Sequence, residues 1–176
     1  MAADRLAFAL AVGALMGCQH APAGSADPSS ACSPEAFADV STLPLPPAAA
    51  PATEDTRKGV PLKFANAVPL GAGVGDVGRW VDAGPGSKAW RLKLKSENAK
   101  SLSLHVQPFD LPAGAELWMC SPDGSTRRGP MKRPPPGGDF WSPAVPGPEL
   151  WLELRAPAGS ESQVRLKIVE AFTAYR

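Results

Sequence analysis

Residues 78–96 read GRWVDAGPGSKAWRLKLKS, and how this stretch folds decides the class of the chain. RWVDAG and AWRLKLKS each have the character of a strand, and the Gly/Pro segment between them is a turn signal. In the second run Trp90, Leu92 and Leu94 alternate with Arg91, Lys93 and Lys95. Strict alternation sets one face of a strand on a core and the other in water, as in antiparallel sheets. The stretch therefore predicts a β-hairpin.

The same period of two recurs downstream. Leu102, Leu104 and Val106 alternate with Ser101, Ser103, His105 and Gln107. Leu150, Leu152 and Leu154 alternate with Trp151, Glu153 and Arg155, and Val164, Leu166 and Ile168 with Arg165 and Lys167. Turn signals separate the runs: SENAK (96–100), LPAGA (111–115), SPDG (121–124), PPPGG (134–138), PGPE (146–149) and APAGSES (156–162). No run of about ten residues carries a helical period. The pattern predicts an all-β domain over residues 58–176, an antiparallel β-sandwich or jelly-roll-like arrangement of seven to eight strands. Its Leu, Val and Trp side chains, at roughly 1.5–3 kcal/mol each when buried, suffice for an independent core.

Upstream the composition changes. Arg5 precedes an apolar run, Leu6 to Met16, which is followed by Gly17-Cys18. The run is shorter than the roughly 20 residues a bilayer span needs, and it fits the apolar core of a secretory signal. Leu15-Met16-Gly17-Cys18 resembles the bacterial lipobox, which implies a signal peptide over 1–17 and lipidation of Cys18. The other reading is an ordinary signal peptide in which Cys18 is incidental. Gln19, where an aspartate would imply inner-membrane retention, favours the outer membrane of a bacterial cell envelope. Several acyl chains on one cysteine anchor stably where one chain is marginal.

Residues 18–57, rich in Ala, Pro and Ser, read as a disordered tether. SPEAFADV (33–40) could form one helical turn, with Ser33 as N-cap and Pro34 in the first helical position. Cys32 and Cys120 remain as a pair in an oxidising compartment, where a bridge would staple the tail to the domain. Two unrelated thiols are the alternative.

Charge excludes little. Residues 18–56 hold five acids and no Lys or Arg, whereas 57–176 carry a net charge of +6, too weak and spread out to argue for nucleic acid. Catalytic groups are scarce. His20 lies in the tether and His105 on the polar face of its strand, with no Gly-x-Ser-x-Gly turn to supply a nucleophile. No Cys/His set has metal-ligand spacing, and GAGVGDVG (71–78) is followed by a strand rather than the helix a phosphate loop requires. The expectation is no catalytic residue, no metal and no cofactor.

Binding surfaces are better represented. Of Trp80, Trp90, Trp118, Trp141 and Trp151, parity places Trp90 in the core. Trp118 and Trp151 fall opposite their leucine neighbours, so each points outward or is covered by another segment. Exposed, they could stack on sugars or on a partner's apolar surface. Arg127, Arg128, Lys132 and Arg133 form a basic loop that could meet lipid head groups or an acidic partner.

Several short motifs together resemble one known family. They are Gly78-Arg79-Trp80, Trp90-Arg91-Leu92, Lys95-Ser96, Ala99, Ser101-Leu102-Ser103-Leu104, and Leu111-Pro112-Ala113-Gly114-Ala115 with Leu117. Pro122-Asp123-Gly124, Gly129-Pro130, Phe140-Trp141-Ser142-Pro143-Ala144-Val145-Pro146-Gly147 and Tyr175-Arg176 complete the set. Their order over about residues 60–176 resembles the non-catalytic β-rich N-terminal region of secreted bacterial trypsin-like endopeptidases of the lysyl endopeptidase type. In that family the His, Asp and Ser of catalysis belong to the following peptidase domain, so no catalytic role transfers here.

The resemblance implies a non-enzymatic module that binds a secreted trypsin-like serine protease or another envelope protein. The lipid anchor comes from the lipobox-like Leu15-Met16-Gly17-Cys18 alone and departs from a secreted pro-enzyme. A glycan- or cell-wall-binding module built on Trp118 and Trp151 is the second expectation. An orphaned pro-region without a ligand is the third.

Overall fold

A computed structural model of the chain describes residues 30–51, 58–59 and 62–176. The proposed signal peptide and Cys18 lie outside these residues. In chain order the strands are β1 (Thr42–Leu45), β2 (Ala65–Gly73), β3 (Arg79–Asp82), β4 (Ser87–Ser96), β5 (Ser101–Asp110) and β6 (Glu116–Cys120). They continue with β7 (Arg127–Met131), β8 (Phe140–Trp141), β9 (Val145–Pro146), β10 (Glu149–Pro157) and β11 (Arg165–Ala174).

Two sheets face each other as a β-sandwich. The first runs β1-β4-β10-β6-β7, with β3 also pairing β4; the second runs β2-β11-β5-β8, with β9 also pairing β5. Every pairing is antiparallel except β1 with β4. The described residues thus hold more strands than periodicity predicts, because β8 and β9 have two residues each and carry no readable alternation.

The 78–96 hairpin is β3 and β4, with Trp80 opposite Trp90. Trp90, Leu92 and Leu94 are buried between the sheets, where they meet Leu102, Leu104 and Val106 of β5 and Leu150, Leu152 and Leu154 of β10. The glycine-rich stretch before the hairpin closes as a turn: the Gly73 N–H donates to Asp76 Oδ2 at 2.8 Å, and the Val77 N–H to Gly73 O at 3.2 Å.

One boundary differs from the sequence reading. Residues 30–50, which composition assigns to the tether, belong to the domain. Thr42–Leu45 pairs in parallel with Lys93–Ser96, the Ala48 N–H donates to Glu97 O at 2.8 Å, and Ser96 Oγ donates to Pro46 O at 2.6 Å. Proline density alone suggests a tether, but an edge strand bonds on one side only and so tolerates a residue such as Pro44. The helical turn expected near Ser33 is present as a 3-10 turn, Glu35–Phe37, and the Ala36 N–H donates to Ser33 Oγ at 3.3 Å.

Candidate functional site

Both tryptophans expected on a binding surface lie on the outer face of the first sheet, and both are covered. Trp118 is 4% and Trp151 7% exposed. Segment 30–40 lies over them and forms a second apolar cluster: Ala31, Cys32, Phe37 and Val40 against Trp118, Cys120 and Trp151. Cys32 and Cys120 are bonded, with Cα atoms 6.3 Å apart, so the cap is stapled to β6. The indole N–H groups are satisfied locally, Trp118 Nε1 donating to Glu116 Oε1 at 3.1 Å and Trp151 Nε1 to Glu149 Oε1 at 2.7 Å.

The same cap buries charge. Glu153 of β10 is fully buried; Arg91 Nε donates to its Oε2 at 3.2 Å, Arg155 Nε donates to Oε1, and the Cys32 N–H reaches Oε2 at 3.3 Å. Alternation sends Arg91 toward water, but the cap keeps its side chain only 13% exposed. Burial of this carboxylate is tolerated because two guanidinium groups and a backbone N–H satisfy it.

The basic loop comprises β7 and the turn that leaves it. Arg127 and Arg128 stand exposed on this edge strand, Lys132 Nζ lies 3.5 Å from Glu116 Oε2, and Arg133 is exposed. The preceding turn is tied by Asp123, whose Oδ1 accepts from Ser121 Oγ at 2.5 Å, the Ser125 N–H at 3.0 Å and Ser125 Oγ at 2.9 Å. These bonds, the Ser121 hydroxyl first, hold the Asp123 carboxyl below its usual range.

The open aromatic surface is elsewhere, on the outer face of the second sheet. Trp141 of β8 is 58% exposed. Its ring stacks on His105 of β5, with centroids 4.1 Å apart and planes 12° from parallel, and lies 5.5 Å from Phe172 of β11. His105 Nε2 is 2.8 Å from Asp139 Oδ1, and Nδ1 is 3.8 Å from Glu170 Oε2.

Strict alternation through Val164, Leu166 and Ile168 would turn Glu170 and Phe172 inward. A bulge between Ile168 and Glu170 reverses the parity, so Ala171 enters the core while Glu170 and Phe172 flank the His105–Trp141 stack. Periodicity cannot show a bulge, which is why this cluster escapes a reading of the sequence. The alternation of β5, which sets His105 on the polar face, is the part of the cluster that the sequence does show.

A hydrolytic relay needs one histidine nitrogen on an acid and the other on a nucleophile. At His105 both nitrogens face carboxylates, so this arrangement is not that of such a relay. Among the described residues no group of three His, Cys, Asp or Glu side chains is placed to hold a metal.

Residues 42–170 match the family model described as the Lysyl endopeptidase N-terminal domain. No curated protein and no solved structure matches the chain significantly.

Proposed function

Because the chain belongs to the lysyl endopeptidase N-terminal domain family, we propose that it is a non-enzymatic, pro-region-like binding module for a trypsin-like serine peptidase. The family match carries this reading: it falls on the domain that accompanies the peptidase, not on the catalytic domain. The His105 environment, with a carboxylate at each nitrogen, is in keeping with it. The exposed edge strand bearing Arg127 and Arg128 is the surface we assign to an acidic patch of the partner.

The module is held at the bacterial outer membrane by acyl chains on Cys18, a reading supported by the sequence of residues 5–19. Expressed in a lipoprotein-processing host, the chain is expected in the membrane fraction, and Cys18→Ser is expected to release it. A Cys18→Ser protein that stays with the membrane defeats the anchor.

Titration into a mature trypsin-like peptidase tests the partner. A saturable complex with altered peptide hydrolysis is expected. Absence of both binding and any change in activity overturns the peptidase reading and leaves an orphaned pro-region. A glycan module built on Trp118 and Trp151 has less support, because the 30–40 segment covers both rings.

A further inference from the structure

Of the five tryptophans, Trp141 alone is a large side chain left mostly in water. Tryptophan is enriched among the residues that anchor binding surfaces, and a rigidly held ring loses little freedom on binding. Trp141 is held on several sides. Its backbone pairs with His105, the Ser142 N–H donates to Leu104 O at 2.9 Å, and the Leu104 N–H donates to Ser142 Oγ at 2.8 Å. One ring face lies on His105, itself fixed by Asp139, and Phe172 supports an edge. The exposure therefore belongs to the opposite ring face, which is oriented before any ligand arrives.

Two carboxylates lie beside the stack, one at each His105 nitrogen. Asp139 and Glu170 flank the stack, and the bulge in β11 places Glu170 there. The nearest basic positions of β11, Arg165 and Lys167, lie before the bulge. An aromatic face carries negative quadrupole density, and two nearby carboxylates add to it. Such a surface repels anions and attracts a cation on an apolar stem.

We propose that Trp141, with Asp139 and Glu170, is a binding site for a lysine or arginine side chain of a peptide or protein partner. The stem lies along the indole and Phe172, and the cationic head meets the ring face and the carboxylates. The site is independent of the peptidase reading, since it requires only a basic side chain whichever protein supplies it.

Its test is a titration of the chain with short acetylated amide peptides bearing lysine, arginine or norleucine, followed by the Trp141 indole N–H resonance. The lysyl and arginyl peptides are expected to shift that resonance saturably and the norleucyl peptide is not. Affinity should fall as salt rises from about 50 to about 300 mM, since both carboxylates are partly exposed. Glu170→Gln, which keeps shape and removes charge, is expected to weaken binding about three- to fivefold. Trp141→Ala lacks the reporter resonance, so its titration with the lysyl peptide is followed by calorimetry. The heat of binding seen with the unaltered chain should be lost, with a retained cooperative thermal transition as the control for folding. Equal binding of the norleucyl peptide, or no effect of Glu170→Gln, overturns the proposal. Saturation of the same resonance by chitotriose but not by the lysyl peptide also overturns it and identifies a glycan platform instead.

Discussion

Phe37 stacks on Trp151 with ring centroids 4.6 Å apart and planes 13° from parallel. The contact joins a segment that composition assigns to a tether with the central strand of a sheet. Arg91 lies 5.8 Å from the Phe37 ring centroid, and Lys93 Nζ lies 5.2 Å from that of Trp151, so cations flank the aromatic pair. The cap is thus a small packed unit set on the outside of the sandwich, apart from the main core.

That separation predicts local rather than global loss. Phe37→Ala removes the cap's largest apolar side chain, a change that costs about 3–5 kcal/mol in a fully cooperative core. Here the expected outcome is loss of amide-exchange protection over residues 31–40, with β5 and β11 still protected. Trp151 emission should shift to the red. Uniform loss of protection across both sheets would show that cap and sandwich unfold as one.

The Cys32–Cys120 bridge closes a sequence separation of 88 residues. Loop-closure entropy for that length gives about 4–5 kcal/mol as an upper figure. Cys32→Ser with Cys120→Ser is expected to lower the denaturation midpoint in urea markedly while leaving the far-ultraviolet spectrum of the sheets intact. Because the bridge holds the cap, Trp118 and Trp151 should become accessible to acrylamide quenching in this variant. A midpoint unchanged within error would count against the bridge as a stabilising staple.

Glu153 stands between Arg91 and Arg155 in a site closed to water, so the two halves of that arrangement respond differently to mutation. Glu153→Gln leaves two guanidinium groups without their counter-charge and is expected to cost about 3–5 kcal/mol. Replacing all three with Met or Leu removes charges and desolvation together, so its expected cost is smaller, about 1–3 kcal/mol for the Cys32 N–H left without its acceptor. Urea unfolding of both variants checks the contrast. Equal losses in the two would mean that packing, not charge, dominates the site.

Much of the fold is legible in the sequence because alternation reports directly on burial. The β4, β5 and β10 alternations place Trp90, Leu92, Leu94, Leu102, Leu104, Leu150 and Leu152 in the core, where they are. What alternation reports is only which side a residue faces, not what covers that side. Trp151 and Glu153 face outward as their parity demands, yet both are buried because residues 30–40 return over them. The Trp141 cluster is hidden for a different reason: a one-residue bulge inverts the faces of Glu170 and Phe172.

Gly78, at the start of the hairpin, has φ +74°, a left-handed conformation that favours glycine. A Cβ there would lie 2.7 Å from the backbone O of Arg91 and 2.7 Å from the Trp90 indole. That indole donates from Nε1 to Val77 O at 2.8 Å and fills the core, so it has no room to retreat. Gly78→Ala is expected to cost at least about 2 kcal/mol, combining left-handed strain with displacement of Trp90. Gly84→Ala, at φ +107° but with open space around its Cβ, should show the strain alone. Similar melting temperatures for the two would remove the argument from crowding.

Thr173 gives a prediction of opposite sign. It is fully buried in β11, and its Oγ1 has no hydrogen-bond partner among the described residues. The hydroxyl loses its water on folding and gains nothing in return, which costs about 1–3 kcal/mol. Thr173→Val keeps the branched shape and strand preference while removing the unmet polar group. The variant is therefore expected to be more stable by about 1 kcal/mol in urea unfolding, with an unchanged m-value. A destabilised Thr173→Val would show that the hydroxyl is satisfied in solution, by a water molecule bound between the sheets.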